Sequence, residues 1–330
     1  MGGGEMRVYF LNKRQLKRSG LFALLFLMAF VSAVQARGIQ RRVFGVKPGV
    51  MLDKLTVGGL LPDELTKLLK EIAVIQDREA RNAMYFSETG EIIPEQAGIC
   101  VDVAATVHTV FRAPTSAHLS LITKKVPAAI DRSYFTPVFR GSPSDPRVAL
   151  SINVAWGEES LPAMLEILKK NKIKATFFFI GDWVEKFPDS VKAVAADGHE
   201  IGNHGSYHGH PCSLSRSELS RLILDNNVLL TKVTGRQPPA LFAPPSGEFD
   251  RRTVGVAAEL GFRTILWTVD TIDWRRPSPD LIKQKVMARI CNGAIILMHP
   301  TAPTVAALPG IIQEVQAKGF RFTTVGRLLP

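Results

Sequence analysis

Cysteine is scarce in this chain. Three residues among 330, Cys100, Cys212 and Cys291, make an odd and scattered set. That excludes a disulfide framework, and Cys212 reads as a small buried hydrophobe. Acidic residues are also in short supply: 30 Asp and Glu face 41 Lys and Arg, for a net charge of +11. Such an excess suits anionic partners, such as a membrane surface or a cell-wall polymer. Basic runs interleaved with aromatics are missing from the body of the chain, so no nucleic-acid partner is expected. What remains is globular composition, 46% hydrophobic and 22% charged, at a length that suits about two domains.

The N-terminus carries part of the charge excess. Arg7, Lys13, Arg14, Lys17 and Arg18 precede a small-and-apolar run from Ser19 to Val34. Val34-Gln35-Ala36 then places apolar or small residues at the −3 and −1 positions of a cleavage site. Residues 1–36 are expected to be a secretory signal peptide or an uncleaved membrane anchor. The run falls short of the roughly 20 residues of a full span, which favours export and leaves cleavage open.

Residues 37–133 read as a small α+β module. Val50 to Leu61 is strand and turn. Pro62 opens a helix with Leu65, Leu68, Leu69 and Ile72 at i, i+3, i+4 and i+7. Short strand-like pieces follow at 91–94 and 119–126. No catalytic cluster stands out. Residues 134–147 hold Pro137, Gly141, Ser142, Pro143, Ser144 and Pro146, and this density predicts an extended linker.

From residue 148 to 330 the pattern alternates. Apolar strands are expected at 148–153, 173–180, 199–203, 240–243, 262–269, 294–298 and 321–324, with amphipathic helices between them. That pattern means a parallel sheet covered by helices, either a barrel or an open doubly wound sheet. Polar residues stand where the strands end: Asn153, Asp182, His204, Pro244-Pro245-Ser246-Gly247, Asp270 with Asp273-Trp274, and His299. Parallel strands bring these ends to one rim, where α/β barrels hold their active sites. His204 and His208, four apart in a turn broken by Gly205, Gly209 and Pro211, can present two imidazoles to one metal ion.

Five of these stretches stand in the order of a known family. Val148-Ala149-Leu150-Ser151-Ile152-Asn153, Glu200 to His208, Phe242-Ala243-Pro244-Pro245-Ser246-Gly247, Asp270 to Trp274, and Ile295 to His299 together resemble the NodB-homology polysaccharide deacetylases, carbohydrate esterase family 4. Ile152-Asn153-Val154-Ala155-Trp156-Gly157 is similar to a subgroup linked to sporulation in Gram-positive endospore formers. Residues 37–133 loosely resemble modules placed before catalytic domains in exported cell-wall proteins.

The resemblance implies a distorted (β/α)7 barrel. It implies metal-dependent removal of N-acetyl groups from peptidoglycan or a chitin-like glycan, outside the cytoplasm, at the membrane face, cell wall or spore envelope. If the N-terminal segment is uncleaved, the membrane is a further partner. His204 and His208 would be ligands to a zinc- or cobalt-type ion, and His299 the general acid. Asp270 and Asp273 would tune or orient His299. Pro244, Pro245, Ser246, Gly247 and Trp274 would shape the substrate groove, and Trp156, Trp183 and Trp267 could stack on sugars.

Two departures stand against a working hydrolase. Asn153 holds the base position and no Asp follows it. Ala243 holds the place of the arginine that orients the base. Metal binding is therefore expected to be weak. Glu158, Glu159 and Asp182 are the local carboxylates that could substitute. The alternative reading is a non-catalytic glycan-binding pseudoenzyme of the envelope or spore.

Overall fold

The computed structural model describes residues 13–86 and 88–329. They divide into two compact units. The first holds residues up to 80 together with 97–127. The second holds 81–96 and 128–330.

The first unit begins with a helix, Lys13–Phe44. Its 24-residue stretch Leu21–Phe44 is long and apolar enough to cross a membrane. The helix runs on through Ala36, past the Ser19 to Val34 run legible in the sequence; the basic residue at position 7 lies outside the described residues. Beyond the helix, the strand Met51–Leu52 pairs with Leu55–Thr56 and with His118–Leu119. Gly98–Val101 pairs antiparallel with Thr123–Val126. The helices Pro62–Gln76 and Val103–Arg112 cover them. Leu65 and Leu69 are fully buried with Val50, Leu52 and Val110, and Leu68 and Ile72 pack against that core. The helical spacing in the sequence therefore marks the buried face correctly.

The second unit is built on eight parallel strands: β1 (Arg147–Val154), β2 (Thr176–Phe179), β3 (Glu200–Asn203), β4 (Leu241–Phe242), β5 (Arg263–Thr264), β6 (Val269–Asp270), β7 (Ile295–Met298) and β8 (Arg321–Thr323). The sheet order is β5-β4-β3-β2-β1-β7-β6, with β8 also paired to β1. The run 262–269, expected as one strand, is split into β5 and β6. These two stand at opposite ends of the sheet order, so the barrel is open between them.

Strand alternation separates two cores. On β1, Val148, Leu150, Ile152 and Val154 pack outward with Leu161, Met164, Leu165 and Leu168 of the helix Leu161–Lys170. Ala149 lies in a different cluster, with Phe178, Leu241, Ala243 and Ile265. Asn153 shares the parity of Ala149, and so belongs to the inner side.

Residues 134–147, expected as an extended linker, are held on the barrel. Phe135 is buried. The Val138 amide donates to the Thr264 carbonyl at 2.9 Å, and Gly141 to Gly293 at 2.8 Å. The Thr268 hydroxyl donates to the Phe139 carbonyl at 2.6 Å. The hairpin of Met84–Phe86 and Glu91–Ile93 also belongs to this unit rather than to the module before it. Cys212 is exposed, not buried; it sits in a short turn, Pro211–Ser213, whose only buried residue is Pro211.

Candidate active-site groove

The turn after β3 is fixed by amides. Asn203, fully buried, donates through Nδ2 to the Ile223 carbonyl at 2.7 Å. Its Oδ1 accepts from the Gly205 amide at 2.8 Å and from Asn226 Nδ2 at 2.9 Å. Gly205 turns the chain at φ +92°, a conformation open to glycine. His204 and His208 are thus carried on a loop, with ring centroids 5.8 Å apart and planes 80° to one another. His204 Nδ1 donates to the Ala243 carbonyl at 2.6 Å, which leaves Nε2 free. Burial holds the His204 imidazole down at about 3, and burial also lowers His208. His204 is therefore neutral at physiological pH. His210 pairs with Glu248 at 3.0 Å on the exposed surface and is no part of the groove.

The end of β7 carries the second histidine group. His299 Nδ1 donates to Asp273 Oδ1 at 2.7 Å, and the His299 amide donates to Oδ2 at 2.7 Å. The Thr304 hydroxyl donates to the same Oδ2 at 2.6 Å. Asp273 is wholly buried and saturated by these donors. The Trp156 ring stacks on His299, with centroids 5.0 Å apart and planes 12° from parallel. Asp270 is held apart from this set: its Oδ1 accepts from the Ile272 amide at 2.8 Å.

One cavity of about 420 Å³ collects Asn153, Trp156, His204, His208, Ser246, Gly247, Trp267, Asp270, Trp274 and His299. Seven strands' worth of sequence distance is thereby brought to one rim, as parallel topology requires. Pro244 and Pro245 do not line it. They form the turn that presents Ser246, at φ 57°, and Gly247, at φ +67°. A Cβ on Gly247 would collide with the Trp267 ring. Trp183 is buried under Phe179 and Phe187. Glu158, Glu159 and Asp182 line a second recess of about 470 Å³, which shares Trp156 and His208 with the first. Thr304 and the Trp156–His299 stack carried no signal in the sequence, because their partners lie far away in the chain.

His204, His208, Asp270, His299 and the amide of Asn153 line this one cavity. Asn153 is 4% exposed, and its Oδ1 has no partner among the described residues. The next residue, Val154, points into the outer core. Among the described residues no group of three or more His, Cys, Asp or Glu could hold a metal ion. The donor set therefore does not fit a three-residue metal centre of the Asp-His-His kind.

A sequence profile of the family described as polysaccharide deacetylase matches residues 140–265. A peptidoglycan-N-acetylglucosamine deacetylase of Bacillus cereus is 34% identical over 211 residues, 60% of this chain and 76% of that protein. This chain belongs to the polysaccharide deacetylase family.

Within that family of hydrolases, the uncharacterized protein YlxY of Bacillus subtilis is 44% identical over 193 residues. That match covers 58% of this chain and 60% of YlxY. The solved structure of a CE4-family pseudoenzyme from Bacillus anthracis is 35% identical, with a TM-score of 0.58, over 81% of this chain and 95% of that one. A mutant described as that family's pseudoenzyme with restored enzymatic activity aligns with the same TM-score at 34% identity. The deacetylase fold expected from the sequence, a distorted parallel barrel, is the fold of these structures.

Proposed function

We propose that this chain is a glycan-binding member of the polysaccharide deacetylase family, acting outside the cytoplasm on peptidoglycan or a chitin-like polymer of the cell wall or spore envelope. The observation that carries the reading is the pairing of an aromatic groove with an amide, Asn153, at the end of β1 where a base would stand. Trp156, Trp267 and Trp274 give the 420 Å³ cavity aromatic walls suited to sugar rings. Asn153 supplies no base, and Ala243 supplies no cation to orient one. An amide cannot accept a proton from water at neutral pH, so hydrolysis lacks its first step.

The names of the relatives support the substrate class, because the Bacillus cereus protein acts on peptidoglycan N-acetylglucosamine. The helix Lys13–Phe44 supports export, as a signal or an anchor. His204 and His208 would hold a zinc- or cobalt-type ion weakly, since two neutral imidazoles without a carboxylate make a depleted shell.

A second reading, slow deacetylation, is favoured by one observation. The chain Thr304–Asp273–His299 is fully assembled, and it orients an imidazole as an acid for a departing amine. The test is to incubate the full chain in detergent with N-acetylglucosamine oligomers and added zinc or cobalt. Binding without acetate release is the expected result. Acetate release that depends on His299 would replace this reading with the second. Failure to bind any oligomer would overturn both.

A further inference from the structure

The cavity at the strand ends holds an imidazole acceptor and a carboxylate among aromatic walls. His204 spends its Nδ1 hydrogen on Ala243, so a neutral ring turns a lone pair outward at Nε2. Asn153 Oδ1 is buried without a partner among the described residues. Asp270 lines the same cavity with a carboxylate of which one oxygen takes the Ile272 amide. Among the described residues no lysine or arginine lines it. Arg275 stacks over Trp274, one of its lining residues, at 4.7 Å.

The neutral donors in the wall are the Asn153 amide, the His208 ring, the Ser246 hydroxyl and the indole N–H groups. A carboxylate and an outward imidazole lone pair between indole faces favour an occupant that is cationic and compact, and no group of three or more His, Cys, Asp or Glu among the described residues could hold a metal ion there.

Resting on the glycan-binding reading above, we propose that the groove recognises the primary ammonium of a de-N-acetylated amino sugar within the glycan. An ammonium brings three N–H donors and a positive charge. It can be shared between His204 Nε2 and the Asp270 carboxylate, with the tryptophan faces adding cation–π attraction. An acetamide fits the same cup poorly. It offers one N–H and sets a carbonyl oxygen against acceptors, and it leaves the Asp270 charge without a partner. The chain becomes a reader of glycan that a deacetylating reaction has already processed.

The test is calorimetric titration of the full chain in detergent, in metal-free buffer. The two ligands are an N-acetylglucosamine oligomer and the same oligomer with its acetyl groups removed. A charge-assisted hydrogen bond exceeds a neutral one by enough to make the de-acetylated oligomer about tenfold tighter. Asp270→Asn keeps an oxygen for the Ile272 amide and should erase most of that preference. Equal binding of the two oligomers, or tighter binding of the acetylated one, overturns the proposal and leaves the glycan-binding reading standing. A lysine oligomer that binds as tightly as the amino-sugar oligomer also overturns it. Binding of neither oligomer sinks the glycan-binding reading itself.

Discussion

The Ala243 carbonyl oxygen lies 2.6 Å from His204 Nδ1. Position 243 therefore serves the site through its backbone, while its methyl side chain packs among Ala149, Phe178, Leu241 and Ile265. The carbonyl fixes which nitrogen of His204 faces the groove, and any residue at 243 would keep that bond.

Asn153 and Ala243 are expected to be coupled. An arginine placed alone at 243 is a charge without a partner among apolar residues, and should cost about 3–5 kcal/mol of stability. Asn153→Asp alone should restore little acetate release, since nothing orients the new carboxylate. The double variant should release more than the sum of the singles, because residues that interact are not additive. Acetate release across the four-member cycle, with zinc or cobalt added, checks this. A double variant no better than the better single places the base elsewhere, with Glu158, Glu159 and Asp182 next to be tested.

His299 should separate turnover from binding. In any variant with measurable deacetylation, His299→Ala should lower kcat by roughly 10²–10⁴-fold and change KM little, as for a group that acts in the transition state. Asp273→Asn should move kcat in the same direction, because an amide cannot hold the Nδ1 proton in the same way. If His299→Ala weakens glycan binding as much as turnover, its part is packing under Trp156 and not acid catalysis.

Stability should fall on acidification in a defined window. His199 is buried at the foot of β3, where its Nδ1 accepts from the Ala175 amide. Burial, with Lys174 nearby, lowers its pKa to about 4. The unfolded chain binds this proton near pH 6.5 and the folded chain resists it, so stability is full above about pH 6.5 and drains away as pH falls toward 4. The loss through this group is at most about 3 kcal/mol. His199→Gln should flatten the fall of Tm between pH 6.5 and 4. A variant with an unchanged slope would show that other groups govern it.

Export can be checked directly. A reporter joined after Ala36 should reach the outside of the cytoplasmic membrane. One that stays wholly in the cytoplasm would contradict the reading of the basic flank and the apolar helix.

Much of this was legible in the sequence because parallel topology converts linear order into a rim. Asn153, His204, Asp270 and His299 each follow an apolar run, and each reaches the same cavity. Less local features were hidden. The pairing of Asp273 with Thr304 depends on how the helix Ala302–Ala317 docks, which no spacing encodes. The split of the run 262–269 follows from the open seam of the barrel and not from its apolar character. Pro244 and Pro245 look like groove residues in the chain, yet they act by bending it, and only Ser246 and Gly247 face the cavity. The proline- and serine-rich stretch before β1 reads as a tether by composition, whereas its amides pair with the Thr264 and Gly293 carbonyls.

Gly247 sets a limit of another kind. Its left-handed backbone and its contact with Trp267 leave no volume for any side chain. Asn153, by contrast, has an unspent oxygen and room for an isosteric carboxylate. In a library randomised at both positions and selected only for retention on an amino-sugar resin, position 153 should return several residues and position 247 should return glycine. The information in this groove is then stored in its contour more than in its reactive groups.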